Sequence, residues 1–462
     1  MLFWVAPLSV PAQSVLSGHL LDADGHPIGG GQVLVKEQPS LAIRSDSTGA
    51  YCLPVPRGRW TVVAFALGYE REERLVESNR GDSLSWDIRL DPLSFEADAV
   101  ALEAARTREF GLQRLGDVED FGIFAARKTE VIPMAAVQAN KATNNAREAF
   151  ARVAGLNIWE SDCGGLQLGL GGRGLSPGRS AHFNLRQDGV DIAAEAIGYP
   201  ESYYSPPLQA VERVEIVRGA ASLQYGPQFG GLVNFVLREG PTDRKAQVRS
   251  AQTLGSFGLF NSFNSLGGQL GPVNYYGYFQ YKRGNCWRCN SSFEQQQGYL
   301  GLRVQLGRRA SLRLSHTRMR YLAQQAGGLT DRLFAEDARQ ALRARNWFRV
   351  QWDLPSAQLD LRLARRWALN VRAFGLVAQR DALGRLDRIN VADLGGPRDL
   401  IQDRFRNLGA EARLRHRFAW LGDTATILAG LRGYATHTVQ RQGLGSEDSS
   451  ATFAFLDLDG PE

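Results

Sequence analysis

No run of about eighteen apolar residues occurs anywhere in the 462-residue chain, which excludes a membrane protein built of helices. The same absence does not exclude a membrane barrel, whose alternating strands average to a polar hydropathy; the mean hydropathy is −0.27 with 44% hydrophobic residues. Lysine is scarce, with Lys36, Lys128, Lys141, Lys245 and Lys282 the five among 54 basic residues. The other 49 are arginine, the side chain suited to two-pronged contacts with carboxylates; the plainer reading of most of them is a codon-usage bias of the source. Cysteine is also scarce, at Cys52, Cys163, Cys286 and Cys289. The Cys286-Trp287-Arg288-Cys289 spacing would need two more ligands for a structural zinc, and the nearest histidine is His316, so a disulfide or two free thiols is expected there. The net charge of +6 is modest, and no nucleic-acid partner, cofactor or metal site is expected. What is plentiful is glycine, 50 residues against 18 prolines, with 22 Phe, 13 Tyr and 9 Trp. That balance fits a turn-rich β chain with aromatic residues available for interface girdles, and the length suggests roughly two to four units.

The most informative stretch runs from Val211 to Gly240. Val211, Val214, Ile216 and Val217 form a β-branched run that Gly219 breaks. Tyr225-Gly226-Pro227 and Gly230-Gly231 then make two turns before Leu232 to Leu237 resumes as strand. Glu212, Glu215 and Arg218 sit among apolar neighbours, so they require partners elsewhere.

In order and spacing, Glu212 to Gly219, Tyr225-Gly226 and Gly230 to Asn234 resemble the pattern E-x-I-E-V-x-R-G, Y-G, G-G-x-x-N of the plug domain of TonB-dependent outer-membrane receptors. The wording of Pro227 to Phe235 most resembles the ferric dicitrate, siderophore-receptor branch. The resemblance implies a plug enclosed by a transmembrane barrel, with Glu212, Glu215, Arg218, Gly219, Tyr225, Gly226, Gly230, Gly231 and Asn234 in structural roles.

Ahead of this stretch, Leu2 to Val10 followed by Pro11-Ala12 resembles the core of an export signal, assigned to residues 1–12. Residues 13–92 carry short strands about ten residues apart, the rhythm of a small β-sandwich. Gly18-x-Leu20-x-Asp22, Ser47-Thr48-Gly49-Ala50-Tyr51 and Gly68-Tyr69 resemble the carboxypeptidase regulatory-like domain at the front of many Bacteroidetes receptors of this family. No His-x-x-Glu ligand set accompanies it, so a peptidase is rejected.

Residues 93–127 lack a sustained period and are read as linker. There Asp98, Ala99, Val100, Ala101 and Leu102 occupy the place of a TonB box, which would add as an edge strand to TonB and its energising inner-membrane complex. Residues 128–240 read as an α+β plug. Asn145 and Glu148 cap a helix whose apolar face is Ala146, Ala149, Phe150 and Val153 and which Gly155 ends, and Leu156 to Trp159 follows as strand. The glycine-rich stretch from Gly164 to Arg179 has no Gly-Lys-Ser/Thr ending, so a phosphate loop is rejected. By resemblance, Arg173 and Arg218 pair with carboxylates of the barrel wall. Arg179, Arg186 and the aromatic loop with Tyr199, Tyr203 and Tyr204 face outward, where a ligand first meets the plug.

From Pro241 to Glu462 apolar and polar residues alternate. Trp347, Arg349, Gln351 and Asp353 oppose Phe348, Val350, Trp352 and Leu354; Asn407, Gly409, Glu411 and Arg413 oppose Leu408, Ala410, Ala412 and Leu414. Alternation suits both a soluble sandwich and a membrane barrel, whose polar face meets the lumen. The resemblance to a plug favours the barrel. Roughly eight to ten strands are expected here, fewer than the about 22 of plugged transporters, so a truncated product is expected. The overall expectation is a mainly β protein: an N-terminal β-sandwich, an α+β plug and the first part of a transmembrane antiparallel β-barrel. It would take up a ferric chelate across the cell outer membrane and catalyse no reaction. A glycan or cobalamin receptor of the same family, or a secreted β-rich binding module, are the alternatives.

Overall fold

Short apolar runs in the first unit pair so that their buried sides face one another across two sheets. The computed structural model describes residues 14–91 and 112–456, apart from residues 68, 80, 196–197, 220–223, 227 and 422. The export-signal stretch 1–12 and the segment Asp98 to Leu102 lie outside the described residues. The chain divides into two units, Met1–Ala105 and Arg106–Glu462.

Strands of the first unit are β1 (Ser14–Asp22), β2 (Gln32–Val35), β3 (Gln38–Arg44), β4 (Ala50–Val55), β5 (Gly58–Phe65), β6 (Glu72–Ser78), β7 (Ser83–Ser85) and β8 (Ile88–Leu90). One sheet runs β4-β1-β7 with β8 also on β1, and the other runs β3-β2-β5-β6. Leu16, Leu20, Val33, Leu53, Val62 and Ile88 fill the space between them. Gly18 is required by close approach, because a Cβ there would lie 2.1 Å from the carbonyl oxygen of Trp86. Sequence periodicity did not mark β3 or β6, whose side chains are mostly exposed and therefore carry little apolar signal.

The plug begins earlier than the sequence reading placed it. Residues assigned to a linker form a small hairpin, β9 (Val118–Glu119) with β10 (Gly122–Ile123), and Leu115 and Phe124 are buried against Val217 and Leu232. The remaining plug strands are β11 (Thr129–Pro133), β12 (Leu156–Trp159), β13 (Gly169–Gly172), β14 (Phe183–Gln187), β15 (Val190–Asp191), β16 (Val211–Arg218) and β17 (Gly231–Leu237). Five of them form one sheet in the order β11-β16-β17-β14-β15. Helix α1 (Ala146–Ala149) is a single turn. Asn145 caps it by accepting from the Glu148 N–H at 3.1 Å, Gly155 follows at φ +73°, and Ala149, Phe150 and Val153 are buried as the helical face required. The face is kept although the helix is short, because packing rather than propensity holds so short a helix.

Among the described residues the rest of the chain forms a nine-stranded antiparallel sheet in which every strand pairs with the next. Its strands are β18 (Gln247–Gly255), β19 (Leu259–Leu270), β20 (Val273–Gly284), β21 (Phe293–Gln305), β22 (Ala310–Gln324), β23 (Trp347–Ala364), β24 (Trp367–Gly384), β25 (Arg398–Trp420) and β26 (Asp423–Gly445). At one end the connections are tight, at 271–272, 306–309, 365–366 and 421–422; at the other they are mostly long, at 285–292, 325–346 and 385–397. The loop 325–346 holds the short helix α2 (Asp331–Glu336), capped by Thr330. Short turns on the periplasmic side and long loops outside are the habit of outer-membrane barrels. The inner face of the sheet packs on the plug: Gln187 Nε2 donates to Thr317 Oγ1 at 2.9 Å and Asn407 Nδ2 to the Ala194 carbonyl at 2.6 Å.

The polarity of β23 corrects a simple rule of polar inside and apolar outside. Phe348, Val350, Trp352 and Leu354 are buried toward the plug, where Phe348 and Trp352 meet the Tyr203 ring at 5.7 and 6.0 Å. Arg349, Gln351 and Asp353 therefore point outward. Below Pro355 the faces exchange character: Ala357, Leu359, Leu361 and Leu363 continue the outward row while Ser356, Gln358 and Asp360 continue the inward one. On β25 the outward row is likewise polar at Arg404 and Arg406, then apolar from Leu408 to Leu414 and aromatic from His416 to Trp420. Trp367 stacks on His416 at 3.9 Å near Phe418 and Trp420, an aromatic rim at the short-turn end. An apolar band thus covers the outward side of the lower part of these strands. Above it the outward row is polar, and the inner face matches the plug core.

Leu359 lies within that apolar band, and Gln351 lies above it. Leu359→Arg should destabilise the chain folded in phospholipid vesicles by about 2–4 kcal/mol, while Gln351→Arg should change it by less than about 0.5 kcal/mol. Urea titration of the two variants measures both, and equal effects would remove the assignment of the band.

Candidate functional site

Between plug and sheet the charged residues gather in two layers, because inward positions alternate along each strand and the plug loops bring their own polar groups to them. The upper layer lies toward the long loops. Arg179, on the turn after β13, has a side chain 42% exposed and donates to Glu201 Oε2 at 2.9 Å. Its guanidinium stands 5.3 Å from the centre of the Tyr203 ring. Tyr203 donates to Glu201 at 2.7 Å and its hydroxyl is 2.7 Å from that of Tyr199. From the wall, Arg380 of β24 reaches both hydroxyls at 3.2 and 3.3 Å and pairs with Asp403 of β25. Burial pushes the Tyr203 phenol well above its ordinary range, and Tyr199 upward as well. Both phenols therefore stay protonated at neutral pH and act as O–H donors.

Of the five residues expected to face outward, only Arg179 is well exposed. Tyr199 is half-buried, whereas Tyr203 and Tyr204 are buried. Tyr204 donates to Gln187 Oε1 at 2.6 Å inside the plug core. Arg186 corrects the expectation most sharply, with 1% exposure in the lower layer. It donates to Asn184 Oδ1 at 2.6 Å, the Gly189 carbonyl at 2.7 Å and the Tyr225 carbonyl at 2.8 Å. Burial lowers its pKa to about 10, with Asp191 opposing the shift.

The lower layer is a lock between plug and wall. Tyr225 is its centre, with Arg186 of the plug 5.0 Å and Arg413 of β25 4.7 Å from its ring. Arg432 of β26 donates to the Tyr225 carbonyl at 2.9 Å and pairs with Asp191 at 3.4 Å. Glu411 pairs with Arg413 and lies 4.0 Å from Arg186, and neither of its oxygens has a well-formed hydrogen bond. Arg372 adds a fourth guanidinium, donating to the Gly189 carbonyl at 3.2 Å. Elsewhere along the interface Arg313 of β22 lies 3.7 Å from Asp188, whose carboxyl burial holds above its usual range against the pull of Arg313.

Neither arginine expected to meet a wall carboxylate does so among the described residues. Arg173 is exposed at φ +52°, its N–H bonded to the Gly155 carbonyl at 3.1 Å. Arg218 is buried within the plug, donating to Glu130 at 2.9 Å and the Ala154 carbonyl at 2.8 Å. The other charges of the motif also find partners within it: Glu215 accepts from Arg213 and from Asn234, both at 2.8 Å, while Glu212 is exposed. Asn234 also accepts from the Gly189 N–H at 2.8 Å. Gly219 turns the chain at φ +60°. Gly231 has φ +118°, and a Cβ there would lie 2.2 Å from the Val217 carbonyl oxygen. At Gly226 and Gly230 a Cβ would lie 2.7 Å from Gln228 Oε1 and 2.6 Å from the His182 carbonyl oxygen. Sequence reading missed Glu130, Arg380 and Asp403 as partners; their only signal is charge at positions that face inward.

The cysteine pairing also differs from expectation. Cys286 is bonded to Cys163 of the plug, with Cα atoms 5.9 Å apart, and Cys289 and Cys52 are free. Loop spacing along the sequence cannot reveal a partner brought in by the plug.

A domain held in this way inside an antiparallel sheet defines the middle of the chain as a plug. Residues 124–232 match the TonB-dependent receptor plug domain, and residues 15–91 match the carboxypeptidase regulatory-like domain. Among solved structures, the chain is similar to the ferric citrate transporter FecA in its unliganded form, with TM-score 0.59, 21% identity, and 71% of this chain and 50% of that one covered. It is also similar to BauA, the ferric preacinetobactin receptor from Acinetobacter baumannii, with TM-score 0.58, 14% identity and coverages of 76% and 54%. The pyoverdine outer membrane receptor FpvA from Pseudomonas aeruginosa PAO1 aligns with TM-score 0.57, 15% identity and coverages of 71% and 49%. These likenesses are of fold, and the chain spans about half the length of each of those structures.

Proposed function

We propose that the chain is the front, plug and wall portion of an outer-membrane receptor that takes up a ferric chelate with energy from TonB. The chelate would be an oxygen-rich anion of the ferric dicitrate kind. The exposed guanidinium of Arg179, on the long-loop side of the plug above protonated Tyr199 and Tyr203, is the observation that carries this reading. Such a group binds carboxylate oxygens through charge-strengthened hydrogen bonds, and the phenols add donors. Glu201 already occupies Arg179, so an incoming carboxylate would displace it. Asp98 to Leu102 would add to TonB as an edge strand.

Uptake tests the reading directly. Iron-limited cells producing the protein should accumulate labelled iron from ferric dicitrate only when TonB is present, and accumulation independent of TonB would overturn it. Arg179→Ala should weaken chelate binding by about 1.5–3 kcal/mol, at least roughly tenfold in titration at fixed ionic strength. Binding within about twofold of the parent would leave Arg179 without a ligand role.

A further inference from the structure

Cys163 lies on the plug loop between β12 and β13, and Cys286 lies in the long loop between β20 and β21, so their disulfide joins plug to wall. Through Gly240 the plug is also continuous with β18. Residues 163–240 are therefore tied covalently to the wall at both ends, while residues 112–162 are tied only at Cys163. A pull on the N-terminal side can draw out no more than this first segment. It contains β11, the edge strand of the plug sheet, which can leave while β16, β17, β14 and β15 remain paired.

A third cysteine stands beside the tie. Cys289 is free and exposed, three positions after Cys286 in the same loop. That loop is clamped to its neighbour: the Cys289 N–H donates to the Arg339 carbonyl at 2.9 Å and Arg339 Nε donates to the Trp287 carbonyl at 2.9 Å. Arg288 donates to the carbonyls of Gly327 and Gln340 at 2.9 and 2.8 Å. Cys286 and Cys289 both line a cavity of about 410 Å³, together with Trp287, Gln324 and Arg339.

We propose that Cys163, Cys286 and Cys289 form a thiol–disulfide exchange site that locks and frees the outer part of the plug. In the freeing step the Cys289 thiolate attacks Cys286 Sγ. The Cys286–Cys289 bond forms as the Cys163–Cys286 bond breaks, and Cys163 leaves as a thiolate that takes up the proton Cys289 has lost. One disulfide is present before and after, so no oxidant or reductant is consumed. On the TonB-driven reading above, on which this role rests, tension along residues 112–162 loads the bond to Cys163 but not one between Cys286 and Cys289, so pulling favours exchange.

The test reads thiol pairing and not transport, so its failure leaves the uptake reading standing. The full chain in detergent is held at about pH 8 without added thiol, in urea sufficient to loosen the plug, then trapped with N-ethylmaleimide and mapped by mass spectrometry. Wild type should begin with Cys163 joined to Cys286, then show Cys163 labelling rising as Cys289 labelling falls, with peptides joined through Cys286 and Cys289. Cys289→Ser should label Cys163 at least about tenfold less, since the attacking thiol is gone, and Cys52→Ser should behave as wild type. Absence of the starting Cys163–Cys286 pair, absence of Cys286–Cys289 peptides in wild type, or equal Cys163 labelling in Cys289→Ser would each overturn the proposal.

Discussion

Arg218→Ala is expected to lower the stability of the plug by about 3–5 kcal/mol, the cost of leaving a buried charge without its partner. The Arg218 side chain is 4% exposed and that of Glu130 is 11% exposed. Alanine would remove the donor at 2.9 Å from Glu130 and also orphan the Ala154 carbonyl. Lys128, 3.6 Å from Glu130 but half in solvent, offsets part of the loss and places the effect toward the lower end. Pulse proteolysis of the plug across a urea series, with the chain folded in vesicles, measures the change. Replacing Arg218 and Glu130 together by leucine should cost less than the single change, because no charge is then stranded. A single-variant effect below about 1 kcal/mol would show that the pair is solvated and structurally idle.

Glu411→Gln is the second large effect, expected to weaken the seating of the plug against the wall by about 3 kcal/mol. Glu411 is buried beside Arg413 and near Arg186, in a layer that also holds Arg372 and Arg432. Asp191 is the other carboxylate in ion-pair contact with that layer. Glutamine keeps the volume and removes the charge, so the loss reports on repulsion among guanidiniums. The plug should become protease-sensitive at lower urea while the sheet keeps its own midpoint. Unchanged plug protection would mean that hydrogen bonds to backbone carbonyls, rather than charge, hold the arginines in place.

Much of the plug was legible because its residues answer to local backbone demands. Gly219 and Gly231 sit at positive φ, and Val214 and Ile216 fill a central strand with both faces covered. Such requirements act over a few residues and leave a fixed spacing. Partners of charges left no such trace. Glu215 and Arg218 announced that partners were needed, but whether these came from the wall or from within the plug depended on pairing β16 with β11, which places Glu130 beside Arg218.

Sequence by itself determined that the chain is β-rich, that a turn-rich central domain carries the plug pattern, and that alternating strands follow it, since apolar period, glycine position and strand length are properties of short segments. Tertiary structure decided which side of each strand packs on the plug and which side faces away from it. The row Phe348, Val350, Trp352 and Leu354 reads as a lipid face until the plug is set against it, because alternation specifies two faces and not what covers them. The same holds for Arg186, whose charge suited an outward ligand site until the fold buried it beneath Tyr225, and for Cys286, whose partner lies 123 residues away rather than three. Contacts between distant segments exist only once the plug lies against the wall, so no local pattern encodes them.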